Sequence, residues 1–122
     1  MKQYRITRAY EVLRGVDDMK MPVRMARDIY HLVKELEPTF QFAAERQKKL
    51  IAEYGGKVAA DGMVSFAREE DAKAFRDGVD EMNEVDVEYN SAPIEIDLDA
   101  LGDNTLFTPA EIRKLDGFVE FK

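Results

Sequence analysis

The strongest pattern in the sequence is a run of apolar residues at alternating spacings of three and four between Pro22 and Tyr54. Such spacing places one apolar face along a helix, so we predict a long helix over residues 22–54. Its apolar face consists of Ile29, Val33, Leu36, Phe40, Ala43, Leu50 and Tyr54. At 1.5 Å per residue the helix would be roughly 50 Å long, which exceeds the diameter of so small a domain. We therefore expect part of this face to pack against a partner, and we expect Pro38 to kink or break the helix.

Shorter elements are predicted on both sides of this helix. The positions of Tyr4 and Ile6 fit either a strand or a short helix, and we favour a strand that leads into a helix within residues 4–14. Asp61 and Gly62 separate two short apolar runs within residues 57–66, which indicates a hairpin with a type I′ turn. Apolar residues at helical intervals then predict a second helix over residues 69–84.

The last third of the chain combines two alternating runs with a well-marked helix start. Residues 85–89 and 94–98 alternate apolar and acidic positions around a turn at 90–93, which predicts an antiparallel pair of strands. Thr108, Pro109 and Glu111 form a capping-box pattern, so a short helix is expected over residues 109–116. The apolar tail is expected to fold back onto the core. The predicted fold is α+β, with a long kinked helix and two shorter helices packed on a small antiparallel sheet.

Composition restricts the class of protein. The chain has 122 residues, of which 45% are hydrophobic and 35% charged, and this suffices for a single domain over residues 1–122. The formal net charge of -7 argues against general binding to nucleic acid. No apolar run approaches the ~18 to 20 residues that span a bilayer, and the N-terminus lacks the apolar segment of a signal peptide. We therefore expect a soluble intracellular protein without a membrane partner.

Charge is distributed unevenly along the chain. Residues 1–54 contain 11 basic and 8 acidic residues, whereas residues 69–103 contain 2 basic and 13 acidic residues. One interpretation is a solvated face that promotes solubility. The other is an acidic surface that meets a basic partner, either a nucleic-acid-binding protein whose DNA phosphates it imitates or a basic subunit of an assembly.

The residue types that usually carry catalysis are scarce. The chain has no cysteine, a single histidine, His31, and two serines, Ser65 and Ser91. Nucleophilic catalysis requires a nucleophile beside a base, and this sequence gives no support for such a pair. The acidic stretch that contains Asp97 does not fit a calcium loop, because Leu101 and Thr108 stand where the loop needs ligands. We expect no enzyme activity, no cofactor and no metal site.

A small basic patch on the long helix is a candidate site for an anion. Arg46, Lys48 and Lys49 lie close to Phe42, which falls outside the apolar face. Solvated side chains on a helix surface are one interpretation of this patch. The other is a cleft between two copies of the chain in which these cations hold an anionic ligand.

The order of several motifs resembles a family of small, uncharacterised bacteriophage and prophage proteins. The motifs are MPVRMAR at 21–27, FQFAAERQKKLIAEYG at 40–55 and LFTPAEIRKLDGFV at 106–119. Family members share an MPV helix start, an E-x-R-N-K-L-I-x-x-Y-G helix end and a closing L-[ST]-P-x-[DE]-[IL]-x-x-L-x-x-[FL]-[IV] segment. This chain departs from the pattern at Gln47, where the family often has Asn, and at Gly117. The resemblance implies a phage origin and location in the host cytoplasm, and it supplies no catalytic residue.

These observations favour a non-enzymatic phage protein that acts through protein–protein interaction, in virion assembly or as an inhibitor of a host defence factor. We expect a homo-oligomer in which Ile29, Val33, Leu36 and Phe40 are buried against a second copy. The acidic segment 69–103 would then bind a basic host or phage protein. The alternative is a counter-defence protein that sequesters a small ligand or nucleotide through Arg46, Lys48 or Lys49.

Overall fold

The computed structural model describes residues 1–101 and 107–122, and it confirms an α+β fold built around a long helix. In chain order the elements are α1 (Gln3–Gly15), α2 (Val23–Glu53), β1 (Lys57–Val58), β2 (Val64–Ser65), α3 (Glu69–Asn83), β3 (Ile94–Ile96), α4 (Leu98–Leu101), α5 (Pro109–Lys114) and β4 (Val119–Phe121). α1 packs against α2, α3 and α5, while α2 also contacts α3 and β3. The predicted helices in residues 22–54, 69–84 and 109–116 are therefore present.

The N-terminal segment is helical from Gln3, so the strand predicted around Tyr4 and Ile6 is wrong. Ile6, Ala9, Tyr10 and Leu13 have the three-and-four spacing that buries one face of a helix, and all four are buried. Burial of this whole face against α2 outweighs the short alternating pattern at its start. Alternation of apolar and polar residues over four positions is too short to specify a strand when the following residues have the pattern of an amphipathic helix.

α2 runs for 31 residues without a break, and Pro38 lies inside it. A proline in a helix interior leaves the carbonyl oxygen four residues earlier, here that of Lys34, without its helical donor. Both Pro38 and Lys34 are exposed, so this carbonyl lies on the side of the helix that faces water. Leu36 and Ala43 on the opposite side are buried, and their packing holds the two halves in one helix.

The predicted hairpin is present, but its turn differs from the expected type. β1 and β2 pair antiparallel, with Lys57 opposite Ser65 and Val58 opposite Val64. Gly62 has a φ of 84°, whereas Asp61 has a negative φ, and a type I′ turn needs positive φ at both central residues. The Gly62 N–H donates to the Ala59 carbonyl, which is the arrangement of a three-residue hairpin loop with a left-handed glycine at its end.

The antiparallel pair predicted for residues 85–89 and 94–98 is wrong. β3 pairs with β4 in parallel, and Ile94, Glu95 and Ile96 lie opposite Val119, Glu120 and Phe121. Residues 85–87 instead lie beside the N-terminus, where Gln3 N–H donates to the Val85 carbonyl and Val87 N–H donates to the Met1 carbonyl. Of the two predicted runs, only Ile94–Ile96 is a strand; Leu98 begins α4, and within residues 85–89 only Asp86 forms a bridge, with Lys2. The alternating pattern carried no information about which distant segment each run would pair with.

The core brings both chain ends onto the long helix. Its fully buried side chains include Ile6, Leu13, Leu36, Ile96 and Phe118, contributed by four separate segments: α1, α2, β3 and the C-terminal segment. The tail folds back onto the core as predicted. At the start of α5 the Thr108 hydroxyl accepts from the Glu111 N–H, and the Glu111 carboxylate accepts from the Thr108 N–H, which confirms the capping box.

Candidate functional site

The apolar face of α2 that we predicted as an interface with a second copy is covered within one chain. Ile29, Val33 and Leu36 are 5%, 7% and 1% exposed, and all three belong to the single core cluster. Phe40 is partly buried and stacks on Tyr10 of α1, with ring centroids 4.3 Å apart. The structure therefore contradicts the assignment of these four residues to a second-copy interface. α1 and the C-terminal segments cover the face that helix length alone suggested would stay open.

The basic residues predicted to hold an anion lie on the open surface of α2. Arg46, Lys48 and Lys49 are exposed, as is Phe42, whose side chain is 61% exposed. A helix advances 100° per residue, so Phe42, Arg46 and Lys49 share one side while Lys48 points to another. No other part of the described chain faces these side chains across a cleft. The predicted anion-binding cleft would therefore need a second copy of the chain.

An acidic face occupies the C-terminal half of α3 and consists of Asp77, Asp80, Glu81 and Glu84. All four residues are exposed, and spacings of three and four place them side by side on the helix surface. Within the described parts of the chain, only Glu84 has a cationic group within 4 Å, the Nζ of Lys2 at 3.8 Å. The opposite side of α3 is occupied by half-buried apolar residues that face α2, so the helix cannot rotate to hide these charges. Asp103, the last acid of the predicted segment, lies outside the described residues.

The placement of these acids works against the stability of α3. The C-terminal end of a helix carries partial negative charge, and the last turn of α3 contains no basic residue to offset it. Like charges at spacings of three and four repel by a few tenths of a kcal/mol per pair. The first turn contains Glu69, Glu70 and Asp71, where negative charge is favourable. The acidic face is thus a charge arrangement that folding alone does not favour.

A basic groove lies between the N-terminal half of α1 and α5. Its volume is about 350 Å³, and its lining residues are Tyr4, Arg5, Arg8, Ala110, Arg113 and Lys114. Four of these six residues carry positive charge and none carries negative charge. Tyr4 and Arg8 also line the neighbouring depression that contains Asp80 and Glu84, so the basic groove and the acidic face adjoin across α1.

A larger groove near the C-terminus has mixed charge. It has a volume of about 560 Å³ and is lined by residues that include Arg24, Asp28, Glu95 and Lys122. Lys122 Nζ donates to Glu95 Oε1 at 2.8 Å. This bond, together with the charge of Glu120, raises the pKa of Lys122 above its usual value. Because three acids (Asp28, Glu95 and Asp97) face two bases (Arg24 and Lys122), this groove attracts an anion less than the basic groove does.

The residues considered for catalysis are not brought together. His31 is exposed and makes an edge contact with the Tyr30 ring at 5.4 Å. Ser91 donates to the Glu35 carboxylate, and Ser65 lies in β2. Over residues 1–101 and 107–122, no three His, Asp or Glu side chains are grouped in a way that could hold a metal ion. Asp97 instead accepts from the Asp99 N–H at the start of α4, and Gly102 is outside the described ranges.

Tyr89 lies against the core, close to the Glu35 carboxylate. Burial and the nearby Glu35 carboxylate both raise the pKa of Tyr89 above its usual value. Its ring packs against Phe118 at 5.1 Å, and its buried hydroxyl has no hydrogen-bond partner in the described part of the chain. The Tyr89 ring thus contributes to the packing around Phe118.

Sequence reasoning missed the basic groove because its cations come from the two ends of the chain. Arg5 and Arg8 lie one turn apart on α1, and Arg113 and Lys114 are adjacent in the last turn of α5. A helical interpretation of residues 3–15 would have placed the first pair on one face. Arg113 and Lys114 matched the usual preference for cations at a helix C-terminus, so their positions alone did not indicate a binding site.

Comparisons of the chain with protein families, with curated proteins and with solved structures gave no match. Among the helices of the described residues, none is both long enough and apolar enough to cross a membrane. The candidate functional surfaces therefore follow from the geometry alone, and they are the acidic face of α3 and the basic groove between α1 and α5.

Proposed function

We propose that this chain is a non-enzymatic binding protein whose acidic face contacts a partner with a basic surface. The observation that carries the proposal is the exposed group of four acids on α3, three of which have no cation within 4 Å in the described structure. Their position at the helix C-terminus weakens the helix. Residues that destabilise the fold locally, with no compensating contact, are common on functional surfaces.

Charge complementarity specifies the chemistry of the partner. Rows of acids along one helix side attract a row of Lys or Arg, and electrostatic attraction of this kind accelerates association and selects partners. A nucleic-acid-binding protein and a basic assembly subunit both present such a surface. The resemblance to phage proteins supports a phage origin, with a role in virion assembly or in inhibition of a host defence factor.

Photo-crosslinking in the cell that naturally makes the protein tests this proposal. The crosslinking amino acid p-benzoylphenylalanine replaces Lys73, which is exposed on α3 one turn before Asp77. We expect one discrete adduct whose crosslinked peptide is rich in Lys and Arg. The double variant Asp77→Asn/Glu81→Gln should abolish the adduct.

The matched control is Glu45→Gln/Glu53→Gln, which makes the same change in net charge at exposed positions of α2. This control should leave the adduct intact, because the charge it removes lies outside the acidic face. Equal loss in both double variants would attribute the contact to overall charge and contradict the proposal. An adduct that survives in both, or one formed with an acidic peptide, would contradict it as well.

A further inference from the structure

The basic groove between α1 and α5 concentrates positive charge in a protein whose net charge is -7. Within the described residues, no carboxylate lies within 4 Å of a cationic nitrogen of Arg5, Arg8, Arg113 or Lys114. Other cations of the chain do pair, such as Arg68 with Glu70 at 2.7 Å and Lys122 with Glu95 at 2.8 Å. Acidic residues outnumber basic ones in this chain, so four cations around one groove that form no ion pair within 4 Å are not explained by a shortage of acids.

Two of these arginines are held in place by the surrounding structure. Arg5 Nη2 donates to the Asp116 carbonyl at 2.9 Å, at the turn that Gly117 makes with a φ of 85°. A Cβ on residue 117 would lie 3.2 Å from Arg5 Nη2, so glycine at this position also leaves room for the guanidinium. The Arg8 guanidinium lies over the Tyr4 ring, 4.7 Å from its centroid. Side chains ordered before binding lose less entropy when a ligand arrives.

The helix that contributes Arg5 and Arg8 adds to the positive potential. Both residues lie near the N-terminal end of α1, which carries partial positive charge from the helix dipole, although the Gln3 N–H there already donates to the Val85 carbonyl. The first turn of α1 contains no acidic residue, and no side chain caps it. The potential in the groove therefore combines four full charges with the N-terminal end of α1, offset in part by the C-terminal end of the short helix α5, which bears Arg113 and Lys114.

We propose that this groove binds a small ligand that carries a chain of phosphate groups, of the triphosphate class. Arginine guanidinium groups bind phosphate oxygens in pairs of parallel hydrogen bonds, and four cations match the charge of a triphosphate chain. A volume of about 350 Å³ is in the range of small-ligand sites. The inference does not rest on the acidic face, because the cations that would hold the ligand are not among the four acids of that face, although Arg8 also borders the depression that contains Asp80 and Glu84.

Isothermal titration calorimetry at low salt tests the site with four probes. Sodium triphosphate and ATP are both expected to bind because the cations recognise the phosphate chain, and tighter binding of ATP than of triphosphate would identify a nucleotide as the source of that chain. Adenosine should not bind. Equal binding of adenosine, or tighter binding of a single-stranded oligonucleotide than of either triphosphate, would overturn the proposal.

Arg8→Gln/Arg113→Gln removes one exposed cation from each wall of the groove and leaves the bond between Arg5 and Asp116 in place. It should weaken triphosphate binding by about tenfold or more, as expected for the loss of charge-assisted hydrogen bonds. The matched control Arg46→Gln/Lys49→Gln removes two exposed cations from α2 and should change affinity less than about twofold. Absence of binding to the native protein at ~1 mM triphosphate, a usual upper bound for a specific site, would refute the proposal. Equal weakening in the two variants would refute it too.

Discussion

Glu81→Lys in the acidic face should stabilise the protein, although it is expected to damage partner binding. Glu81 lies four residues after Asp77 and three before Glu84, so lysine replaces two repulsive pairs by attractive ones, each worth about 0.2–0.5 kcal/mol. Positive charge near the helix C-terminus contributes a further ~0.5 kcal/mol. Glu and Lys have similar helix propensity, so the total is about 1 kcal/mol, or a rise in Tm of roughly 4 °C.

Glu70→Lys is the matched control on the same helix. It makes the same change in net charge, but it puts a cation in the first turn of α3 and removes the pair between Arg68 and Glu70. We expect it to lower the free energy of unfolding by about 1 kcal/mol. Both variants are measured by thermal and urea unfolding in dilute buffer and again at ~1 M salt, where screening should remove most of each effect.

The direction of the change in Tm in Glu81→Lys and in Glu70→Lys distinguishes an effect of position on the helix from an effect of overall charge. If relief of the overall negative charge governed stability, both substitutions would raise Tm by similar amounts. A fall in Tm for Glu81→Lys, or a shared direction for the two variants, would refute the view that the acidic face opposes the stability of its own helix.

Three further predictions test the fold. Leu36→Ala should lower the free energy of unfolding by about 2–5 kcal/mol, seen as a lower urea midpoint with an unchanged slope, whereas Val23→Ala at an 85% exposed position should change it by less than ~0.5 kcal/mol. Pro38→Ala restores a main-chain donor inside α2 and should raise the free energy of unfolding by about 1–3 kcal/mol in urea titrations; a decrease would show that the ring itself packs favourably. Hydrogen bonds from the Thr108 main chain and side chain lower the pKa of Glu111 below its ordinary value of 4.5, so its contribution to stability is present above that value and is lost as the pH falls through the folded-state pKa. The difference in Tm between the native chain and Glu111→Ala should therefore shrink on acidification, and a difference independent of pH would contradict this assignment.

Local signals in the sequence predicted those elements whose cause is local. The capping box at Thr108 and Glu111 needs only neighbouring residues, and it is present as expected. The long helix also follows from spacing alone, and it continues through Pro38 because apolar packing on the opposite side exceeds the cost of one missing hydrogen bond. Gly62 marks the hairpin turn, although the sequence did not reveal how many residues the loop contains.

Features that depend on contacts between distant segments could not be predicted. Ile94 pairs with Val119 because the C-terminal segment returns beside β3, and alternation in the sequence does not identify that partner. Leu36 and Phe118 belong to the same core cluster although they are 82 positions apart in the chain. The basic groove has the same origin, since Arg5 and Arg113 meet only after both chain ends pack on the core.

The apolar face of α2 packs against other segments of the same chain, and this leaves charged surfaces for contact with other molecules. Light scattering coupled to size-exclusion chromatography tests it most directly, with the protein at tens of micromolar in dilute and in ~1 M salt, where the Debye length is about 3 Å. We expect the mass of a monomer, 14.0 kDa, in high salt, where electrostatic contacts are screened. A particle of twice that mass in ~1 M salt would indicate an apolar interface between two copies. It would contradict the conclusion that the apolar face of α2 is covered within one chain.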